Sequence, residues 1–149
     1  MHVTHYPLHD GHLTSVAIAD DRAVLGLRQA DGTSWTMTLQ GVDALNIDGF
    51  RLGNTILTLR SIRGVGREDR PGEDLPVAQD VHAALDALFP APHASARPDI
   101  HAAHAAFIAA KLAGLSAGQA VLLVLSPAYG AELSAYCLTV DLQADRQTG

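Results

Sequence analysis

A chain of 149 residues that is 48 % hydrophobic and 17 % charged carries enough apolar material for one core, which excludes a solvated, disordered chain. Its formal charge of −6, with Lys111 as the sole lysine, argues against a nucleic-acid partner, because phosphate binding needs a surplus of cations gathered on one face. Cys137 is the only cysteine, so neither an intramolecular disulfide nor a multi-cysteine zinc site can form within the chain.

The first segment holds His2, His5, His9, Asp10 and His12, five candidate metal ligands in eleven residues. Neutral imidazole and carboxylate suit zinc or another divalent transition metal, and a spacing of three or four would put ligands on one side of a helix. Pro7 opposes that arrangement, since it removes a backbone donor and disfavours helix at Tyr6, leaving an extended or turned segment in which His9 and His12 diverge.

Residues 13–19, 23–30 and 33–40 read as short strands separated by Asp20-Asp21-Arg22 and Asp31-Gly32. Asp-Gly is a strong hairpin signal, because a tight turn between twisted strands needs positive φ, which Gly adopts without strain. Trp35, Met37 and Leu39 alternate with Thr36, Thr38 and Gln40, which predicts one buried and one wet face. Turn residues then dominate 46–54, and 55–62 returns to strand composition as a fourth strand of the meander.

Gly, Pro and dense mixed charge mark 64–74 as a flexible loop. Val77, Val81, Ala84, Leu85 and Leu88 repeat at helical spacing after Pro76 and stop at Pro90. A second helix follows, with Asp99 as its expected cap, Gly114 as its terminator, and a broad face of Ile100, His104, Phe107, Ile108, Lys111, Leu112 and Leu115. The apolar run 120–126 and the alternating 132–142 form an expected closing hairpin, and 143–149 a frayed tail. The expected fold is thus one α+β domain over 1–149: an antiparallel β-meander of about four strands, two helices and a C-terminal β-hairpin.

His101 and His104, three apart on the second helix, could join His93 or a distant carboxylate as ligands but lack the glutamate of the His-Glu-x-x-His zinc pattern, and His104 falls on the apolar face with His101 in solvent. Arg51, Arg60, Arg63, Arg67 and Arg70 crowd into twenty residues and offer guanidinium forks for a local anion site, partly offset by Glu68, Asp69, Glu73 and Asp74. Gly64-Val65-Gly66 lacks the Lys-Ser/Thr of a phosphate loop. Ser126 is followed by Pro127, which removes the backbone N–H that an oxyanion hole would use, and Cys137 falls inside a strand as a small buried hydrophobe.

The run Leu8-His9-Asp10-Gly11-His12-Leu13-Thr14-Ser15-Val16, with Val24-Leu25-Gly26-Leu27, Asp31-Gly32 and Phe50-Arg51-Leu52-Gly53-Asn54-Thr55-Ile56, resembles small bacterial β-rich domains of the immunity-protein-like kind over about the first sixty residues. That resemblance implies a non-enzymatic module that binds another protein, and it brings no catalytic residues. The alternative is a metal-binding protein or metal-dependent hydrolase with His5, His9, Asp10 and His12 as ligands and a divalent metal as its cofactor. The candidate binding residues are His9, Asp10, His12, Arg51, Asn54, Arg60 and Arg63. An edge strand or the Ala-rich second helix would serve a homo-oligomer. With a start that lacks a basic, apolar leader and no apolar run of about 20 residues, a cytoplasmic setting without membrane contact is expected.

Overall fold

The computed structural model describes residues 2–64 and 75–146, with the side chains of 75–78 outside that description. Strands β1 (His2–His5), β2 (His12–Ala19), β3 (Arg22–Arg28), β4 (Ser34–Gln40), β5 (Ala44–Asp48) and β6 (Asn54–Arg63) precede helices α1 (Leu75–Leu88) and α2 (Pro98–Ser116). Strands β7 (Val121–Tyr129), β8 (Glu132–Cys137) and β9 (Thr139–Ala144) follow. All nine belong to one antiparallel sheet of order β5-β8-β7-β6-β2-β3-β4-β9, with β1 also on β6.

This corrects the four-stranded meander with a separate closing hairpin. Strands β2, β3 and β4 follow one another as a meander, but β6 does not extend it; β6 pairs with β1, β2 and β7. Two strands were not foreseen, β1 and β5, and the C-terminal hairpin is β7–β8 built into the sheet, with β9 carried over to β4. Ala144 lies in β9 opposite Trp35, so 143–144 are strand, whereas 147–149 lie outside the described residues. Of the expected flexible loop, 65–74 lies outside them too.

The two ends of the strand order meet. β5 continues β4 after residues 41–43, and β9 continues β8 after Leu138, so the β4–β9 ladder (Gln40 opposite Thr139) runs on into the β5–β8 ladder (Ala44 opposite Tyr136). Leu138 N–H donates to Gln40 O at 3.0 Å and Asp43 N–H to Tyr136 O at 2.9 Å across the step. Gly41 makes the step feasible: its φ is +62°, and a Cβ there would stand 2.5 Å from the Leu138 side chain. The sheet therefore closes into a barrel in which β1–β2, β4–β5 and β8–β9 are each one interrupted strand, leaving few unpaired edges.

Closure divides the apolar side chains into two sets. Leu13, Leu25, Leu27, Met37, Leu39, Ile56, Leu59, Leu123, Leu125 and Leu133 fill the interior. On the outside, Ile62, Leu122, Val124 and Tyr136 are covered by Val81, Ala84 and Leu85 of α1 and Leu115 of α2. β7 supplies both sets, which is why its apolar run is continuous and not alternating. The outer faces of β2, β3 and β4 have no helix over them among the described residues.

Helix α2 departs from its expected ends and face. Arg97, not Asp99, is the N-cap, because Pro98 takes the first helical position and Asp99 instead accepts an ion pair from Arg97 at 2.9 Å. The helix runs past Gly114, where a Cβ would stand 2.6 Å from the Tyr136 hydroxyl, and ends before Gly118 at φ +72°. Only Leu115 is buried, while Ile100 and Phe107 are exposed. Leu115, with Ile108 and Leu112, packs onto the outer apolar cluster, and Lys111 adds a polar attachment. Its ammonium lies 5.0–5.5 Å from the ring centroids of Phe89, Phe107 and Tyr136, pairs with the Asp43 carboxylate, and is only 21 % exposed. The Tyr136 hydroxyl donates to Lys111 O at 2.8 Å, and burial first, then the Asp43 charge, raises its pKa.

Replacing Lys111 with Met keeps the stem and removes the charge, so the expected loss is about 1–2 kcal/mol in urea unfolding, with Tyr136→Phe losing about 1 kcal/mol. Equal stability of both variants with the parent would show that the cage does not hold α2.

Candidate functional site

The segment Leu8-His9-Asp10-Gly11 is a turn: Gly11 N–H donates to Leu8 O at 2.9 Å, Asp10 takes φ +62°, and Leu8 is buried in the interior. Asp10 N–H and Gly11 O both bond Ile56, which lets β1 and β2 run along β6 as one interrupted strand. The His-Asp-Gly run is thus accounted for by backbone geometry. His9 Nδ1–H donates to Leu57 O at 2.8 Å, and its Nε2 lies 3.5 Å from the exposed Asp10 carboxylate. His5 stands opposite Arg60 on β1, and His12 lies on β2 opposite Arg28 and Thr55. Among the described residues no three His, Cys, Asp or Glu converge, so His5, His9, Asp10 and His12 are not brought together as a ligand set.

The arginines separate too. Arg60 points outward from β6 and pairs with Asp80 of α1 at 2.8 Å, while Arg63, at the far end of β6, lines a pocket of about 190 Å³ with Thr4, Tyr6 and Ser61. Arg51 precedes the near end of the same strand. At about 3.3 Å per residue, the ten residues of β6 keep Arg51 and Arg63 some 30 Å apart. Arg67 and Arg70 lie outside the described residues.

Where β6 begins, β2 has a partner on each edge: His12 and Leu13 pair with Thr55 and Asn54 on one side and with Arg28 and Leu27 on the other, and beyond Leu13 only the β3 pairing continues. The β5–β6 loop folds over this corner. Asn54, 2 % exposed, is its bracket: Oδ1 accepts from Arg51 N–H (2.7 Å) and Ala131 N–H (3.1 Å), and Nδ2 donates to Leu13 O (3.2 Å). Three segments distant in sequence are thereby tied by one side chain. Gly130, at φ +85°, is required beside it, because a Cβ there would fall 2.5 Å from Asn54 Oδ1. Asn54 therefore acts in this site through the loop it holds, not through contact with a ligand.

The loop presents Phe50, 49 % exposed, and Leu52, 97 % exposed, over a pocket of about 330 Å³ that His12, Thr14, Arg28 and Arg51 complete. No carboxylate lines it, and among the described residues neither Arg28 nor Arg51 has an acidic partner within 4.0 Å. His12 Nδ1 is buried without a hydrogen-bond partner. A second trough of about 270 Å³ adjoins it, sharing Thr14 and Arg28 and running over Gly26 to Ser34, Thr36 and Asp145. The β-bulge between Leu13 and Ser15 puts both the Thr14 and Ser15 hydroxyls over Gly26, where a Cβ would meet them at 2.8 and 2.3 Å.

The sequence pointed to His12, Arg51 and Asn54 in this corner and missed Arg28, Phe50 and Leu52. Inward Leu25 and Leu27 imply an outward Arg28 by alternation, and two large apolar residues between Gly49 and Gly53 are unusual in a turn; both signals were present.

Cys137 lies in the interior, where burial pushes its thiol from 9.0 up to about 12. A raised thiol pKa means that its contribution to stability is complete below pH 9 and is lost as pH rises toward 12, because the unfolded chain then ionises first. A thiol reagent at pH 8 should accordingly label Cys137 at the rate of unfolding; prompt labelling of the folded protein would contradict that burial. Asn54→Ala, which strands the Arg51 and Ala131 amides, should cost about 2–4 kcal/mol in urea unfolding, and a loss below about 0.5 kcal/mol would show that the loop does not depend on it. A scan against protein-family models, a search of curated proteins and a search of solved structures each returned no match.

Proposed function

We propose that the protein is a non-enzymatic binding module that docks another protein through the β5–β6 loop. One observation carries this reading: Leu52 is 97 % exposed on a loop whose backbone is fixed from beneath by a buried asparagine. A large apolar side chain left in water loses the stabilisation that burial would bring, about 1.5–3 kcal/mol for leucine. Phe50 beside it raises that forfeit, and the rigid support means that little ordering entropy opposes contact with a partner. Leu57 on β6, and Tyr129 opposite Thr55, are also exposed.

The partner surface that matches is apolar with carboxylates, since Arg28 and Arg51 lie beside Phe50 and Leu52 without acidic partners among the described residues. This agrees with what the immunity-protein-like resemblance implies, a module whose chemistry is recognition.

Affinity capture from the producing organism, followed by titration of the recovered protein, tests the proposal. Leu52→Asp and Phe50→Ser should each weaken binding by about tenfold or more, whereas Ile18→Ser, at an exposed apolar position elsewhere on β2, should leave it unchanged. Equal binding by the parent and both loop variants would sink the loop as the docking face.

A further inference from the structure

The pocket beneath the loop has a chemistry of its own. Among the described residues Arg60 and Arg97 pair with Asp80 and Asp99, and Lys111 with Asp43, whereas Arg22, Arg28, Arg51, Arg63 and Arg146 make no ion pair within 4.0 Å. Of these five, Arg28 and Arg51 line one pocket of about 330 Å³, and no carboxylate lines it with them. Two like charges placed side by side repel, and the repulsion ends when an anion sits between them.

Both positions are built rather than incidental. Arg28 is the outward residue that ends β3, held opposite His12 and Ser34 in two ladders. Arg51 follows from the loop bracket, its own N–H bonded to Asn54 Oδ1. His12 lines the same pocket, with its Nδ1 buried and without a hydrogen-bond partner among the described residues. Phe50 and Leu52 supply an apolar wall beside these polar groups.

We infer that the corner of Arg28, Arg51 and His12 is an anion-binding site for a carboxylate or phosphate carried on an aromatic or aliphatic group that packs against Phe50 and Leu52. Guanidinium forks match the paired oxygens of either anion. The assignment of a partner's side chain as its natural source rests on the docking reading above; the chemistry of the pocket does not.

The test is an NMR titration of the full chain, at constant ionic strength set with chloride, with inorganic phosphate, phenyl phosphate and benzoate, following the arginine Nε–H and histidine ring signals. Saturable shifts at Arg28, Arg51 and His12 are expected, with phenyl phosphate or benzoate binding about tenfold more tightly than inorganic phosphate because of the apolar wall. Arg28→Gln and Arg51→Gln, both at exposed positions, should each weaken binding about tenfold, and Arg22→Gln, at the other end of β3, should not. The preferred anion, phosphate or carboxylate, identifies the group to seek in a partner. Shifts that do not saturate, or that persist unchanged in both glutamine variants, overturn the site. Saturable binding with partner capture indifferent to Leu52→Asp would retain the anion site and remove the docking face.

Discussion

The burial of β7 on both of its faces is the constraint on which the rest of the molecule depends. Val121, Leu123 and Leu125 belong to the barrel interior, and Leu122 and Val124 lie under the helices. A strand so placed has no wet side, and its register is fixed from two directions at once. Pairing with β6 and β8 follows from it, and so does the position of the helices, since the outer faces of these three strands are where they find apolar contact. Among the described residues the helices cover one half of the barrel, and the other half, β2 to β4, has no helix over it.

The candidate site arises on that bare half from a local irregularity. β2 loses its β6 partner after Leu13, a bulge lifts Thr14 out of register, and β6 begins; the β5–β6 loop occupies the gap. One buried amide side chain reconciles three segments there, and Arg28, Arg51, Phe50 and Leu52 are arranged around it. The position of the loop and the exposure of its apolar side chains are thus two results of the same bracket.

Much of the local structure was legible in the sequence, and the topology was not. The Asp31-Gly32 turn and the alternation of Trp35, Met37 and Leu39 mark β3 and β4 because period and turn chemistry are local properties. β1 and β5 escaped because His2–His5 and Ala44–Asp48 are only four and five residues long, and become strands only through the partners they meet, β6 and β8. The closure of the sheet turns on Gly41 fitting against Leu138, residues almost a hundred positions apart, which no window along the chain contains. The metal reading of the N-terminal histidines rested on the density of ligand types, with Pro7 already against a helical spacing; a turn at Asp10 and the pairing of His5 and His12 with different neighbours keep them apart. Arg51 was found and Arg28 was not, because clustering in sequence drew attention to arginines that β6 then spread over three surfaces.

The aromatic cage around Lys111 also shapes how the folded protein meets electrophiles. Lys111 is the only side-chain amine in the chain, and it is engaged by the Asp43 carboxylate and enclosed by three rings. Acylating reagents and enzymes that modify lysine therefore encounter a surface rich in guanidinium and imidazole but almost without a nucleophilic amine. Modification of Lys111 becomes a report on the detachment of α2, so this one side chain is a built-in probe of whether the helix layer is seated.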